Sequence, residues 1–318
     1  MLKQFNEARA FLAAFAAPRR LPEPGALELS ASLYVEAWRR LKQNRIACVS
    51  LIFLVLMALA CFTGEYFLQS KWDEINFVLE ATPPSFEHWF GIDDLGRDLL
   101  ARVLYGGKIS LSVGLISTTV SMLIGISYGA IAGYFGGWTD RLMMRFVDFL
   151  YSLPYYFIIV LIMVFFSVSS IYLLFIILAL FQWLGMARLV RGQILSLKER
   201  DFVLALRSCG ASHTRIIFQH LIPNTLGLVA VYATLTVPSV MMQEAFLSFI
   251  GIPFQVIGSD GIQKPVASWG TLISEGSRVF ETGPWLLAFP SLFFCLTLLA
   301  INFLGDGLRD ALDPNMKV

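Results

Sequence analysis

What most limits this 318-residue chain is a set of long stretches without a charged side chain. Ile46–Phe62, Ile109–Thr139, Phe149–Ala187, Leu221–Gln243 and Thr282–Gly305 contain no Asp, Glu, Lys or Arg. The hydrocarbon core of a bilayer is about 30 Å thick, and roughly 20 residues of helix cross it. The runs are continuous rather than alternating, which suits helices and not the short alternating strands of a barrel. Charged residues make up 15% of the chain and mean hydropathy is +0.68, whereas a soluble domain carries about 25% charge. The 39 residues of Phe149–Ala187 are too many for one crossing, and Ser167-Val168-Ser169-Ser170 is a polar break inside them. The reading is an all-α polytopic membrane protein with six transmembrane helices, at roughly 46–68, 109–134, 146–166, 171–187, 226–248 and 284–304.

Lys and Arg orient the spans. With the N-terminus inside, segments 1–45, 135–145, 188–225 and 305–318 hold 18 of the 24 cations, and the outer segments 69–108 and 249–283 hold 6. That three-to-one bias follows the positive-inside rule and puts both termini in the cytoplasm. Net charge is only +1, so bulk charge names no partner. Cys48, Cys61 and Cys295 lie in spans and Cys209 in an inner loop, so no disulfide framework is expected. His88, His213 and His220 are scattered, and no Cys/His spacing suits a metal. Ala10–Pro18 is a short apolar stretch, but Glu7 interrupts the segment before it, so a cytoplasmic tail is expected rather than a cleaved signal.

Residues 18–29 read as a Pro- and charge-rich linker. Ser32 then caps a helix running to about Asn44, with Leu33, Ala37, Trp38 and Leu41 on one face. It is either an interfacial helix at the inner headgroups or an extension of the first span. In the outer segment 69–108, Pro83-Pro84 forbids a continuous helix. Asp93, Asp94, Arg97 and Asp98 follow, in a tight turn best read as a solvated cap held by Arg97, with a cation site as the alternative. Gly125, Gly129 and Gly133 form a small-residue stripe that admits a close helix neighbour. Gly136-Gly137 ends that helix, and Asp148 is expected to pair with Arg145. Pro154 and Pro238 kink spans three and five. Glu244, one turn from the outer end of span five, either reaches interfacial water or lines an outer vestibule, with Pro238 a second candidate for the pathway wall.

The segment 188–225 is unusually polar between two apolar spans. Arg188, Arg191, Lys198, Arg200, Arg207 and Arg215 make it basic. The spacing predicts that span four runs on to about Ser196, and that Asp201–Arg207 is a short helix with Phe202, Val203 and Leu206 on its apolar side. Gly210 breaks it. Ser212 caps a second short helix, His213–His220, which Pro223 stops before Asn224 or Thr225 caps span five. Two short helices about a glycine turn make a compact knob, a docking surface for something soluble.

Here the chain resembles the membrane permeases of ATP-binding-cassette importers, whose signature is a cytoplasmic Glu-Ala-Ala loop followed by glycine and an Ile-x-Leu-Pro-like ending. Ala205, Gly210, Ile217 and His220-Leu-Ile-Pro-Asn224 stand at matching positions, while Leu204 and Leu206 occupy the Glu and second Ala positions. The stretches Gly91-Ile-Asp-Asp-Leu-Gly-Arg-Asp98, Leu104-Tyr-Gly106, Ala132-Gly-Tyr-Phe-Gly-Gly137, Ser152-Leu-Pro154, Glu244-Ala-Phe-Leu-Ser-Phe-Ile-Gly251, Ala267-Ser-Trp-Gly-Thr271 and Gly305-Asp-Gly-Leu-Arg-Asp-Ala-Leu-Asp-Pro314 resemble the C-type subunit of dipeptide/oligopeptide importers. The resemblance implies a type I-like importer permease fold in a bacterial inner membrane. It also implies a B-type permease partner, two soluble ATPases and a periplasmic or lipoprotein peptide receptor. It assigns ATPase coupling to Asp201, Leu204, Ala205, Arg207, Gly210, Ala211, Ser212 and His213. The corresponding plan is a cytoplasmic tail with the interfacial helix (1–45), a first span (46–68), a periplasmic loop (69–108), a five-helix core (109–304) containing the coupling loop 188–225, and a cytoplasmic tail (305–318).

No phosphate-binding G-x-x-x-x-G-K-[ST] occurs, and Gly106-Gly-Lys-Ile-Ser110 has Ile after the Lys and Arg102 where the first Gly belongs. The expectation is a transport subunit, not an enzyme, with no cofactor and no nucleic-acid partner, whose energy comes from ATP hydrolysed on another chain. Related importers carry nickel or other small solutes. An ion-driven carrier is the rival outside the family, and the charge-free span interiors count against it.

Overall fold

A computed structural model describes residues 33–68, 72–76, 81–166, 171–251, 255–257 and 263–312. The expected N-terminal tail, the linker 18–29, the Ser32 cap and the break at 167–170 lie outside the described residues. The helices are α1 (Leu33–Gln43), α2 (Arg45–Phe67), α3 (Leu99–Phe135), α4 (Gly137–Ser152), α5 (Tyr155–Phe166), α6 (Ile171–Leu197), α7 (Asp201–Ser208), α8 (Ile222–Phe249), α9 (Trp269–Arg278) and α10 (Pro284–Leu312). A short turn, His213–Arg215, and a π-helical turn, Ile216–Leu221, lead without a break into α8. A two-stranded antiparallel hairpin, Gln255–Ile257 with Gln263–Pro265, precedes α9.

Among the described residues five helices are long and apolar enough to cross a membrane: α2, α3, α6, α8 with its lead-in turn, and α10. The pair α4–α5, bent by 80°, makes a sixth candidate when taken as one broken span. The bend corrects the single kinked helix expected over 146–166. Pro154 has no N–H to donate, and Leu153 before it is extended (φ −78°, ψ 138°), as the residue before proline prefers.

α3 is the axis of the bundle and packs most closely on α6. The glycine stripe makes this possible: a methyl group on Gly125 would strike the Met186 side chain, one on Gly129 the Ala187 carbonyl, and one on Gly133 would sit 2.9 Å from the Arg191 carbonyl oxygen. α8 packs on the same axis, where Gly114 faces Val237 and Met241. α10 closes the other side against α2, α8 and α9, and Trp269 of α9 lies fully buried in the core they share. At the far end of α10, Ala311 and Leu312 cover Ala37 and Leu41 of α1. That face of α1 is therefore taken by protein, and Trp38 remains exposed beside it.

α3 begins ten residues earlier than the uncharged run suggests. Asp98 accepts from the Ala101 amide (3.0 Å) and so caps the helix, and Arg102, charged but buried, is held by Asp93 and Glu275 (both 2.8 Å). Asp93 is likewise enclosed rather than solvated. It accepts from the Leu95 and Arg97 amides and from both guanidinium groups, so Arg97 is only one of its partners. Burial, and then the charge of neighbouring Arg102, pulls the Arg97 pKa below its ordinary value.

Candidate functional site

The knob is built as the punctuation of its sequence requires. Asp201 in the first turn of α7 and Arg207 in the last both complement the helix dipole. Val203 is fully buried against Ile194, Ile216, Ile217 and Leu221, which seats α7 on the end of α6 and on the π turn. Past α7, the Gly210 amide donates to the Arg207 carbonyl and the Ala211 amide to the Leu206 carbonyl, each at 3.0 Å. This pair of bonds is the Schellman closure, and it needs the φ of +76° found at Gly210. Nothing lies within 4 Å of where a Cβ on Gly210 would be, so the turn is an open protrusion. Ser212 then accepts from the Arg215 amide at 3.3 Å and starts the next turn.

Pro223 does not stop this second helix. It stands at the second position of α8, after a turn wide enough that the Ile222 amide reaches back five residues to the Ile217 carbonyl. Widening relieves the clash a proline ring makes with the carbonyl four residues earlier. Asn224 does not cap span five; its amide donates to the His220 carbonyl at 2.6 Å.

Tyr134, near the C-terminus of α3, braces the knob, and sequence reasoning missed it. Its hydroxyl lies 2.7 Å from His213 Nδ1 and the Arg207 guanidinium lies 5.3 Å from its ring centroid, so one side chain touches both halves. Lys198 Nζ donates to the Gly133 carbonyl at 2.8 Å, a cation on the negative end of α3. These residues, with Phe135, Glu199 and Leu204, line a cleft of about 590 Å³. Of the eight residues singled out for coupling, Leu204, Arg207 and His213 border that cleft; Asp201, Ala205, Gly210, Ala211 and Ser212 lie along α7 and the glycine turn. Leu204 is exposed, so the site presents an apolar side chain where a Glu would stand in the resembled signature.

Two ion pairs tie the lower part of α6 to α4. Arg191 grips Asp140 with two donors, one at 2.6 Å, and Arg188 meets Asp148 at 2.6 Å. Asp148 thus pairs across helices, not with Arg145 one turn away. α6 is thereby held to α3 along the glycine stripe and to α4 through these pairs.

At the opposite end of α8, Glu244 is 1% exposed and does not reach water. Its Oε1 accepts from Ser268 (2.6 Å) and Ser248 (2.9 Å), and its Oε2 from Ser110 (3.1 Å). Ser110 in turn accepts from the Trp269 amide (3.2 Å), and Ser268 caps α9 by accepting from the Thr271 amide (3.1 Å). One carboxyl therefore joins α3, α8 and the N-terminus of α9. Pro238, five residues before Gln243, is buried within α8. Among the described residues both are buried. Among the described residues no group of three or more His, Cys, Asp or Glu could hold a metal ion.

The family model described as binding-protein-dependent transport system inner membrane component matches residues 125–318, more than half of the chain. The chain belongs to this family of permeases. A second model, the N-terminal transmembrane domain of oligopeptide transport permease C, matches residues 32–84. The permease is 47% identical over 285 residues to the oligopeptide transport system permease protein OppC of Haemophilus influenzae, covering 89% of each chain. It is 38% identical to OppC of Bacillus subtilis, over 94% of this chain and 98% of that one. It is 42% identical to the dipeptide transport system permease protein DppC of the same organism, over 91% and 88%. Among solved structures, a chain of the inward-facing MetNI methionine ABC transporter superposes with a TM-score of 0.51 at 16% identity, covering 67% of this chain and 96% of that one. That likeness supports the importer permease fold. The protein is a multi-pass inner-membrane permease.

Proposed function

We propose that this permease is the C-type subunit of an ATP-driven importer of di- and oligopeptides, forming one half of the pathway beside a B-type permease. The substrate class rests on the relatives: proteins 38–47% identical over most of the chain are named oligopeptide or dipeptide permeases, which favours peptides over nickel or other small solutes. Two cytoplasmic ATPases supply the energy and a peptide receptor delivers solute from outside. The observation that carries the coupling role is the open glycine turn between two short helices, braced on the ends of α3 and α6. Seated in a groove of an ATPase, that turn would pass nucleotide-driven closure to α6 and α8. Two rigid arrangements of the bundle, biased by nucleotide and solute, suffice for alternating access. Asp201, Leu204, Ala205, Arg207, Gly210, Ala211, Ser212 and His213 form the contact surface; both termini and the knob face the cytoplasm.

The test is Gly210→Asp in the complete complex. The expected result is normal membrane insertion with loss of ATPase co-purification and of peptide uptake. Co-purification with full uptake would refute the coupling role. Uptake that persists after ATP depletion but collapses with an uncoupler would point to an ion-driven carrier.

A further inference from the structure

Three helices of the bundle bring amide and phenol groups together where the chain is otherwise apolar. Gln243 of α8 accepts through its Oε1 from Tyr155 Oη of α5 (2.7 Å) and from Gln182 Nε2 of α6 (2.8 Å). Both glutamines lie in the uncharged runs, Gln182 six residues before Arg188 and Gln243 six residues before Phe249. All three side chains are half-buried, neither sealed in the core nor fully open. The shared acceptor uses one end of each amide. The Gln243 amide nitrogen and the Gln182 carbonyl oxygen have no hydrogen-bond partner among the described residues.

A donor and an acceptor left unspent at this depth would be costly against lipid, by about 1–3 kcal/mol for each group. Polar side chains in a span therefore face protein or a wet passage. Next to them, the rings of Tyr156 and Phe246 meet at 4.8 Å between centroids, tilted by 56°, and both are exposed, an aromatic surface beside the polar pair. Resting on the peptide reading above, the geometry points to Gln182 and Gln243 as a site that hydrogen-bonds the backbone amides of peptide in transit. A peptide unit offers one N–H and one C=O, the complement of the free Gln182 oxygen and Gln243 nitrogen. Tyr155 fixes the Gln243 rotamer, and Tyr156 with Phe246 gives side chains of any type a surface to slide over. Recognition of the backbone alone suits a pathway whose choice of sequence is made elsewhere.

The test uses the complete complex, reconstituted with receptor and ATPases, with Cys48, Cys209 and Cys295 changed to Ser. Gln243→Cys and Gln182→Cys are treated with a water-soluble methanethiosulfonate reagent, with and without trialanine and ATP. Both cysteines should be labelled, and trialanine should slow labelling several-fold. Gln243→Leu should cut the import rate of trialanine about tenfold, the equivalent of about 1.4 kcal/mol. Absence of labelling in every nucleotide state, as expected of a contact with the second permease, would overturn the assignment. So would labelling that trialanine leaves unchanged. An unmodified complex that imports another solute but no peptide would instead bring down the peptide reading, whatever the labelling pattern.

Discussion

Glu244 offers the sharpest test of how the end of the bundle away from the knob is held. Replacing it by Ala removes the acceptor of three hydroxyl groups, from Ser110, Ser248 and Ser268, in a site that is 1% exposed. Each lost bond is worth about 0.5–1.5 kcal/mol, and the vacated volume adds a cavity cost. Ser110 and Ser268 keep the amide donors of Trp269 and Thr271, which limits the damage. The expected loss is about 3–5 kcal/mol. Glu244→Gln keeps the shape and one carbonyl oxygen, and a serine hydroxyl can turn to accept from the new amide; its expected loss is about 1 kcal/mol. Thermal unfolding of the detergent-solubilised complex, followed by size-exclusion fluorescence, separates the two. The Ala variant should melt well below the unmodified chain and the Gln variant close to it. If Ala were harmless, or Gln as damaging as Ala, the picture of a carboxyl acting as a shared acceptor would be wrong.

Tyr134→Phe should remove the His213 bond at a cost of about 1 kcal/mol, leaving insertion intact and raising the ATP consumed per peptide imported. Gly129→Leu should force α3 from α6, where the Ala187 carbonyl occupies the space, and the variant should fail to yield a monodisperse complex on size exclusion. Arg188→Met should be mild, below about 1 kcal/mol, because its partner Asp148 is exposed. Arg191→Met should cost more in the same melting assay, since Asp140 is mostly enclosed and loses both its donors.

The apolar runs foretold α2 and α10 because lipid imposes one rule on every residue of a span. They failed at the start of α3, where Arg102 and Lys108 look like the end of a membrane segment; Arg102 is neutralised by Asp93 and by the distant Glu275, which no local pattern reveals. Asp148 was matched with Arg145 because helix spacing shows only neighbours in sequence, and its true partner lies forty residues on. Pro154 was legible as a disturbance but not as an 80° bend, whose size depends on what α4 packs against. Within the knob, the glycine turn and the Ser212 cap are local devices and were readable. Tyr134 was not, since a tyrosine in a greasy helix carries no sign of which loop will come to rest on it.

The π turn at Ile216–Leu221 holds one residue more than an α-helical turn would. An α-helix advances by about 100° per residue, and the wide turn takes in its surplus residue without that rotation, so the knob keeps its angle to α8. Deleting exposed Phe218 would let the ladder close as ordinary α-helix with the glycine protrusion facing much as before, whereas a deletion within the regular part of α8 would swing it by roughly that angle. A single residue of slack thus lengthens the chain at this point without turning the knob away from the face it presents.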